Sequence, residues 1–467
     1  MNKELEQKID LYLDQNREAI INDLCDLVRY PSISDTEKDD TPFGVDCANV
    51  LEEALKKARR YGLSATNYNN YYGIAEYGRG DKKIGIFSHL DVVPAGNGWN
   101  GDPFNAVKKG KYLIGRGVVD NKGAAVLGLH IMNFFRTTNT PLNSKISLYF
   151  GCSEETGMED IAAFVREQPM PEFSIVPDTN FPVCHGEKGI LGIDARANIC
   201  FKDIICFEGG LASNMVPDSA YCKLPYTEKL YEEIKSKLNE DLTLENDSEL
   251  ITITARGMSR HASEPDGAKN AIAVLSALVK DLDINENDKK LMDIVNTTSS
   301  SCHGEPFGID VSDEPSGKLT CICGVARTKE SNLSINFDIR YPVTTKGEEH
   351  IDKIKAYFDN TEFSVIATDD SAPAYLPKDD PKVQALCDIY AELTGKDATP
   401  YVMGGGTYSR CLKNAIGFGM ESGVENPDFP EGHGGVHQPD EALDLNDYFE
   451  AFKIYVYSIV KIDTLIS

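Results

Sequence analysis

Apolar residues in the first third of the chain recur in two alternating rhythms. In MNKELEQKIDLYLDQNREAIINDLCDLVRY, Ile9, Leu11, Leu13, Ile20, Ile21, Leu24, Leu27 and Val28 fall at helical spacing amid charges, the pattern of an amphipathic helix. A second helical stretch is predicted over Cys47–Tyr61. Short apolar runs predict strands at Ile84–His89, Lys145–Phe150 and Phe173–Val176. Between the first two, GRGVVDNKGAAVLGLHIMNFFR reads as a turn opening into a helix. Such alternation predicts an α/β domain with a mostly parallel central sheet.

Near Gly186 the pattern changes to strands, long polar connections and two predicted helices, Asn270–Leu282 and Lys346–Phe358. After Pro381 the alternation returns, with a helix over Val383–Leu393, a strand over Ala415–Met420 and a closing helix over Leu445–Ile462. The simplest organisation is a catalytic domain made of residues 1–186 and 379–467, interrupted by an inserted domain over 187–378.

Composition changes this picture little. The chain of 467 residues is long enough for two domains. With 47 basic and 74 acidic residues its net charge is −27, which repels nucleic acid and anionic membrane and argues against both as partners. The N-terminal stretch lacks the unbroken apolar run of a signal peptide. Twelve cysteines include no CxxC pair and are read as reduced and mostly buried, so a cytoplasmic location is expected. Cys321 and Cys323, two apart, would share one face of a strand.

The informative feature is where potential ligands fall. Sites in a parallel α/β sheet gather beyond the carboxyl ends of the strands. His89 and Asp91 end one strand, Asp120 lies in the next turn, and Glu154 and Glu155 follow Phe150. Asp178 follows Val176, and His437 lies in the loop after the last strand. Taken singly, each has a plainer explanation: a turn aspartate, a helix cap, a surface acid pair or a loop histidine. Five loops delivering such groups to one edge is a different matter.

The spacing suggests roles. His89 suits a metal ligand whose second nitrogen is steadied by Asp91. Asp120 has two oxygens and can bridge two cations ~3.5–4 Å apart. Adjacent Glu154 and Glu155 diverge, so one can bind metal while the other takes a proton from water. His433, four residues before His437, is an alternative ligand. Two histidines and three carboxylates suffice for two open cation sites of the catalytic kind. Zinc fits them first, with manganese or cobalt also suited.

The segments SHLDVVPAGNGW, GRGVVDNKG, GCSEETG, VPDTNFPV, MSRHASEPDGAKNA, NFDIRYP, GGGTYSR and GGVHQPDE, running from residue 88 to 441, resemble the dinuclear-metal peptidases that include aminoacylases, carnosinases and succinyl-diaminopimelate desuccinylases. The likeness is greatest to the Xaa-His dipeptidase (dipeptidase V) type. It implies that His89, Asp120 and Asp178 hold one ion and that Asp120, Glu155 and His437 hold the other. Glu154 becomes the general base and Asp91 the imidazole clamp. The acid that bridges the ions in this group is often followed by a second Asp across a cis peptide; here Asn121 follows. The inserted domain then corresponds to a two-lobed α+β lid. His261 matches the histidine that steadies the oxyanion, and Asn214 matches another group near the transition state. Arg340 matches the arginine that takes the substrate's carboxylate, and the backbone of the Gly404–Thr407 loop, with Gly405, Gly406 and Thr407, approaches the same group.

The expected activity is hydrolysis of a small unblocked peptide, above all an Xaa-His-like dipeptide, by a monomer with two divalent ions. The runner-up is an N-acyl amino acid amidohydrolase, which keeps the metals and changes the substrate. A metal- or peptide-binding protein without catalysis is a further alternative, and Glu154 argues against it because a binder has no use for a base; two-metal phosphoester hydrolysis ranks last, because no basic cluster is there to hold phosphate.

Overall fold

The strand Lys83–His89 is buried along all but its first residue, and Lys145–Gly151 and Phe173–Val176 are as deeply covered. Strands buried on both faces read as continuous apolar runs, which is why these three stand out in the sequence. The computed structural model describes residues 3–35, 41–421 and 428–467. It divides into two units: Met1–Gly186 with Tyr375–Tyr401 and Thr407–Ser467, and Glu187–Ala374 with Val402–Gly406.

Six strands of a nine-stranded sheet run in the order Ser64–Tyr68, Tyr72–Gly78, Lys145–Gly151, Lys83–His89, Phe173–Val176, Ala415–Gly417. The last four of these are mutually parallel, and the first two are antiparallel additions at one flank. Register aligns the carboxyl ends: His89 lies beside Gly151, and Val176 beside Gly417. Helix Lys122–Thr138, buried for nearly its whole length, packs on the sheet together with Lys3–Val28, Val45–Arg60 and Leu445–Ile466. Their apolar faces form a single core with the strands. Among the described residues no helix is long and apolar enough to cross a membrane.

The second unit is an eight-stranded antiparallel sheet, from Leu242–Asn246 at one edge to Phe363–Ser371 at the other. At its middle the strands Cys206–Gly209 and Thr320–Lys329 share one register pair, Gly209 with Ala326. The Thr328 hydroxyl adds a hydrogen bond from the Phe207 N–H and another to its carbonyl, and one core runs beneath the whole sheet. Cys321 and Cys323 are both buried on Thr320–Lys329, as their spacing predicts.

The described residues of this unit carry four helices where the sequence pattern suggested two. Ala271–Val279 and Gly347–Phe358 lie where expected. Glu228–Ser236 and Glu286–Ser299 are additional. Both are rich in charge and bury only a few residues each, Leu230 and Ile234 in one and chiefly Leu291, Met292 and Val295 in the other. Their starts are set by side-chain caps, Thr227 accepting from the Leu230 N–H and Asn285 from the Asn287 N–H.

Candidate metal centre

Every residue that the sequence singled out as a possible metal ligand belongs to the first unit and lies beyond the carboxyl ends of its parallel strands. His89 is the last residue of its strand. Glu154 and Glu155 form a single 3₁₀ turn just past Gly151. Asp178 follows Val176 by two residues. Asp120 ends the turn before helix Lys122–Thr138, and the Asp120–Asn121 peptide is cis.

The side chains converge. His89 Nε2 lies 2.9 Å from Asp120 Oδ1 and 3.8 Å from Asp178 Oδ1. His437 Nε2 lies 2.9 Å from Asp120 Oδ2 and 3.2 Å from Glu155 Oε1. The two oxygens of Asp120 thus face two different imidazoles. Glu154 joins the same cluster, with a carboxylate oxygen within 4.8 Å of ligand atoms of His89 and Asp178; His89, Asp120 and Glu155 form a second such group. His433 is engaged elsewhere, its Nδ1 2.9 Å from Asp440 Oδ2.

His89 Nδ1 lies 3.0 Å from the backbone carbonyl of Asp91 and 3.3 Å from its Oδ1. A carbonyl can only accept, so Nδ1 carries a proton and Nε2 presents its lone pair to a cation. The clamp foreseen for Asp91 is therefore shared between its main chain and its side chain. Its Oδ2 accepts from the Glu155 N–H at 3.0 Å, tying that turn to the strand end. Asn121 donates to Asp178 Oδ1 at 2.9 Å and to the Pro177 carbonyl. Lys122, fully buried, donates to the Tyr30 carbonyl.

The electrostatics are those of an acid-rich pocket. Burial, then the charge of Asp178, pushes Glu154 well above the usual carboxylate range. Burial also raises Glu155 and Asp178. Burial would raise Asp120 too, but hydrogen bonds from His437 and His89 pull it below its ordinary value. His437 is pushed up to about 11 by its hydrogen bonds to Asp120 and Glu155. For His89, burial works against charging, yet Asp120, Asp178 and Asp91 outweigh it and raise its pKa. Five carboxylates against two imidazoles leave an excess of negative charge that protons or divalent cations can answer. The donor set of imidazole nitrogen and carboxylate oxygen suits zinc, manganese or cobalt.

Three buried acids hold these loops, two of them outside the predicted set. Asp91, the foreseen clamp, is the first. Asp160 accepts from the N–H groups of Cys152 and Ser153, at 2.6 and 2.9 Å, and from the Tyr408 hydroxyl. The approach is so close that a Cβ on Gly151 would meet Tyr408 Oη at 1.9 Å. The third is Glu441, which binds the turn carrying Asp120. Sequence reasoning missed Asp160 and Glu441 because their partners are backbone N–H groups, which leave no trace in residue type.

The remaining predicted residues, apart from Thr407, lie in the second unit. Asn214 and His261 are brought together, with the Ala262 N–H bonded to the Asn214 carbonyl and Met215 bridged to His261. His261 Nδ1 accepts from the Ser263 N–H at 3.2 Å and lies 2.7 Å from Ser263 Oγ, which leaves the ring proton on Nε2. Partial burial and the nearby Arg340 charge lower its pKa, favouring the neutral ring. Arg340 gives Nε and Nη2 to the two oxygens of Asp338, at 2.6 and 2.7 Å, and Nη1 to the Gly404 carbonyl at 3.0 Å. Its Nε–Nη2 edge is therefore taken by Asp338. Gly405 and Gly406 belong to this unit. Thr407, in the first unit, caps the short turn Tyr408–Cys411 by accepting from the Ser409 N–H.

A parallel α/β sheet whose carboxyl edge gathers imidazoles and carboxylates around a shared aspartate is the architecture of metal-dependent hydrolases. Comparison with known proteins narrows the class. The sequence profile of Peptidase family M20/M25/M40 matches residues 85–461. A relative from Bacillus subtilis (strain 168), named "Putative dipeptidase YtjP", is 30% identical over 96% of this chain and 98% of its own length. The solved structure of the di-peptidase Dug1p from Saccharomyces cerevisiae aligns with a TM-score of 0.58 at 15% identity, covering 99% of each chain. That of aminoacylhistidine dipeptidase from Vibrio alginolyticus aligns with a TM-score of 0.58 at 12% identity, covering 94% of this chain and 96% of that one. The chain belongs to the M20/M25/M40 metallopeptidase family.

Proposed function

We propose that the chain is a metal-dependent dipeptidase that hydrolyses short unblocked peptides, Xaa-His-like dipeptides among them. The observation that carries this reading is Asp120, whose two oxygens each lie 2.9 Å from a different histidine, an arrangement that would suit one carboxylate shared by two cations. His89, Asp120 and Asp178 would hold one ion, and Asp120, Glu155 and His437 the other. Zinc is the first choice, manganese or cobalt the alternatives. Bound there, such ions supply the Lewis acidity that lets water ionise near neutral pH.

The protein's own groups do the rest. Glu154, beside the ligand atoms, accepts the proton of the attacking water and returns it to the leaving amine. Asp91 holds the His89 ring. His261, with its proton on Nε2, is in the form that donates to a developing oxyanion, and Asn214 serves the same charge. Arg340, with Gly405, Gly406 and Thr407, takes the carboxyl end of the substrate and limits its length. Support for a dipeptide substrate comes from the dipeptidase name of the Bacillus relative. A monomer is expected from the size of the inserted domain, residues 187–378, which is large enough to stand where a partner subunit would.

The test is hydrolysis of Ala-His, Leu-Leu, a tripeptide and N-acetyl-alanine by chelated protein, then with Zn²⁺ or Mn²⁺ restored. Metal-dependent cleavage of the two dipeptides alone is the expected result. Cleavage of N-acetyl-alanine alone would move the substrate class to N-acyl amino acids. Silence on all four with metal bound would overturn the reading.

A further inference from the structure

The carboxylate of Glu441 is fully buried and surrounded by donors. Its Oε1 accepts from the N–H groups of Val119 at 2.9 Å and Asp120 at 3.1 Å. Its Oε2 accepts from the Gly117 N–H at 3.0 Å and from Arg116 Nη1 at 2.8 Å. The segment 116–120 therefore winds around one side chain. Gly117 allows this curl: its φ is +86°, and a Cβ there would meet Val92 Cγ1 at 2.9 Å.

Arg116 extends the grip in the other direction. It is itself buried, and its Nη2 reaches the carbonyls of His437 at 3.3 Å and Ala95 at 3.4 Å. The guanidinium lies 5.2 Å over the Trp99 ring, whose Nε1 donates to the same Ala95 carbonyl. His437 has φ +62°, a region a non-glycine residue keeps only when its neighbours impose it. Glu441 is four residues further on and is anchored by the Gly115 N–H on its own carbonyl and by the pairing of Ala442–Asp444 with Tyr112–Ile114.

One ion pair thus ties together the backbones of Asp120 and His437, the two residues whose side chains meet at 2.9 Å. The pair is neutral as a whole and lends no ligand, so it acts by position. We propose that Glu441 and Arg116 are positioning residues that fix the separation of Asp120 and His437 and so set chiefly the affinity for the ion those two share; the ion held with His89 and Asp178 takes no ligand from the His437 loop and depends on the pair less. This rests on the two-ion reading above.

The experiment is calorimetric titration of Zn²⁺ into chelated protein, comparing wild type, His437→Ala, Glu441→Gln, Arg116→Lys and the double variant His437→Ala/Glu441→Gln. Glutamine turns an N–H toward groups that can only donate. Lysine at 116 keeps the charge but loses the forked reach to His437. Wild type should bind two ions and His437→Ala one. Glu441→Gln should weaken one of the two by about 10–100-fold, the usual effect of losing an outer-shell support, and Arg116→Lys by about 10-fold. In the double variant the remaining ion, which His437 does not hold, should lose less affinity relative to His437→Ala than the shared ion loses in Glu441→Gln. Unchanged affinities in both single variants, equal weakening of both ions, or a loss in the double variant as large as that of the shared ion in Glu441→Gln would each overturn the proposal. If Glu441→Gln does not fold, as judged by circular dichroism, Arg116→Lys decides alone. A wild-type stoichiometry of one would overturn the two-ion reading itself, and the clamp with it.

Discussion

Two buried clusters in the first unit use the same side-chain types and reach opposite electrostatic outcomes. Between helices Lys3–Val28, Val45–Arg60 and Lys122–Thr138, fully buried Lys57 gives Nζ to Asp23 at 2.9 Å and to Asp26 at 2.8 Å. The other oxygen of Asp23 accepts from the Tyr61 hydroxyl at 2.5 Å and faces His130 Nε2 at 3.0 Å. Tyr12 and Asn133 continue the chain on the far side of His130. Each charge there meets its opposite within the protein. Although burial alone would raise Asp23, its hydrogen bonds to His130, Tyr61 and Lys57 bring it down to about 2. At the sheet edge, burial and mutual repulsion push Glu154, Glu155 and Asp178 the other way. The first cluster is complete as built, whereas the second carries an uncompensated excess that a cation can satisfy. A buried polar network marks function when its charge does not close.

Perturbations should separate the two. Glu154→Gln should have the largest effect, lowering kcat by about 10³-fold, the usual share of a general base, while calorimetry still finds the wild-type number of ions. Near-normal turnover would refute the assignment. Lys57→Met removes the buried cation that two aspartates share and should destabilise the fold by about 3 kcal/mol in urea unfolding, with metal stoichiometry unchanged. Asp178→Asn should show a sign reversal that no closed network gives. In chelated protein it removes one of several repelling acids and should stabilise by about 1 kcal/mol; with metal restored it should lose the metal-induced rise in Tm. Destabilisation by the same amount with and without metal would make the two clusters alike after all.

How much of this was legible in the sequence follows from what each residue contacts. His89, Glu154, Glu155 and Asp178 could be located because apolar runs announce buried parallel strands, and ligands lie just past their ends; Asp120 was located by the glycine-flanked turn that opens helix Lys122–Thr138. His437 was harder, since a loop histidine has no such run before it, and the repeated GG and HQPD residues were its main signal. The helices of the second unit were read less well. Glu228–Ser236 and Glu286–Ser299 are held by caps and a few buried residues, too few for a clear period. Arg116, Asp160 and Glu441 were not assigned at all, because each acts on main-chain groups, and for Arg116 and Glu441 the partner segments are more than 300 residues apart in sequence. Arg340 was found by motif, but its tie to Asp338 two residues away could be seen only once both shared a strand face.

The smallest predicted effect tests the closed cluster through pH. The folded pKa of Asp23 lies at about 2, below its ordinary 3.8. A depressed carboxylate contributes stability that is present above its unfolded pKa and is lost as pH falls from about 4 through about 2. Tyr61 supplies part of that depression through its hydroxyl. Tyr61→Phe keeps the ring, removes one hydrogen bond to a charged acceptor, and should cost about 1 kcal/mol at pH 7. It should also move the lower edge of the window up towards 3.8, so the gap between variant and wild type narrows on acidification. Urea unfolding at pH 7, 5 and 3 measures this directly. A gap that stays constant over those three values would mean that the hydroxyl supports packing alone and that Asp23 owes its depression to Lys57 and His130.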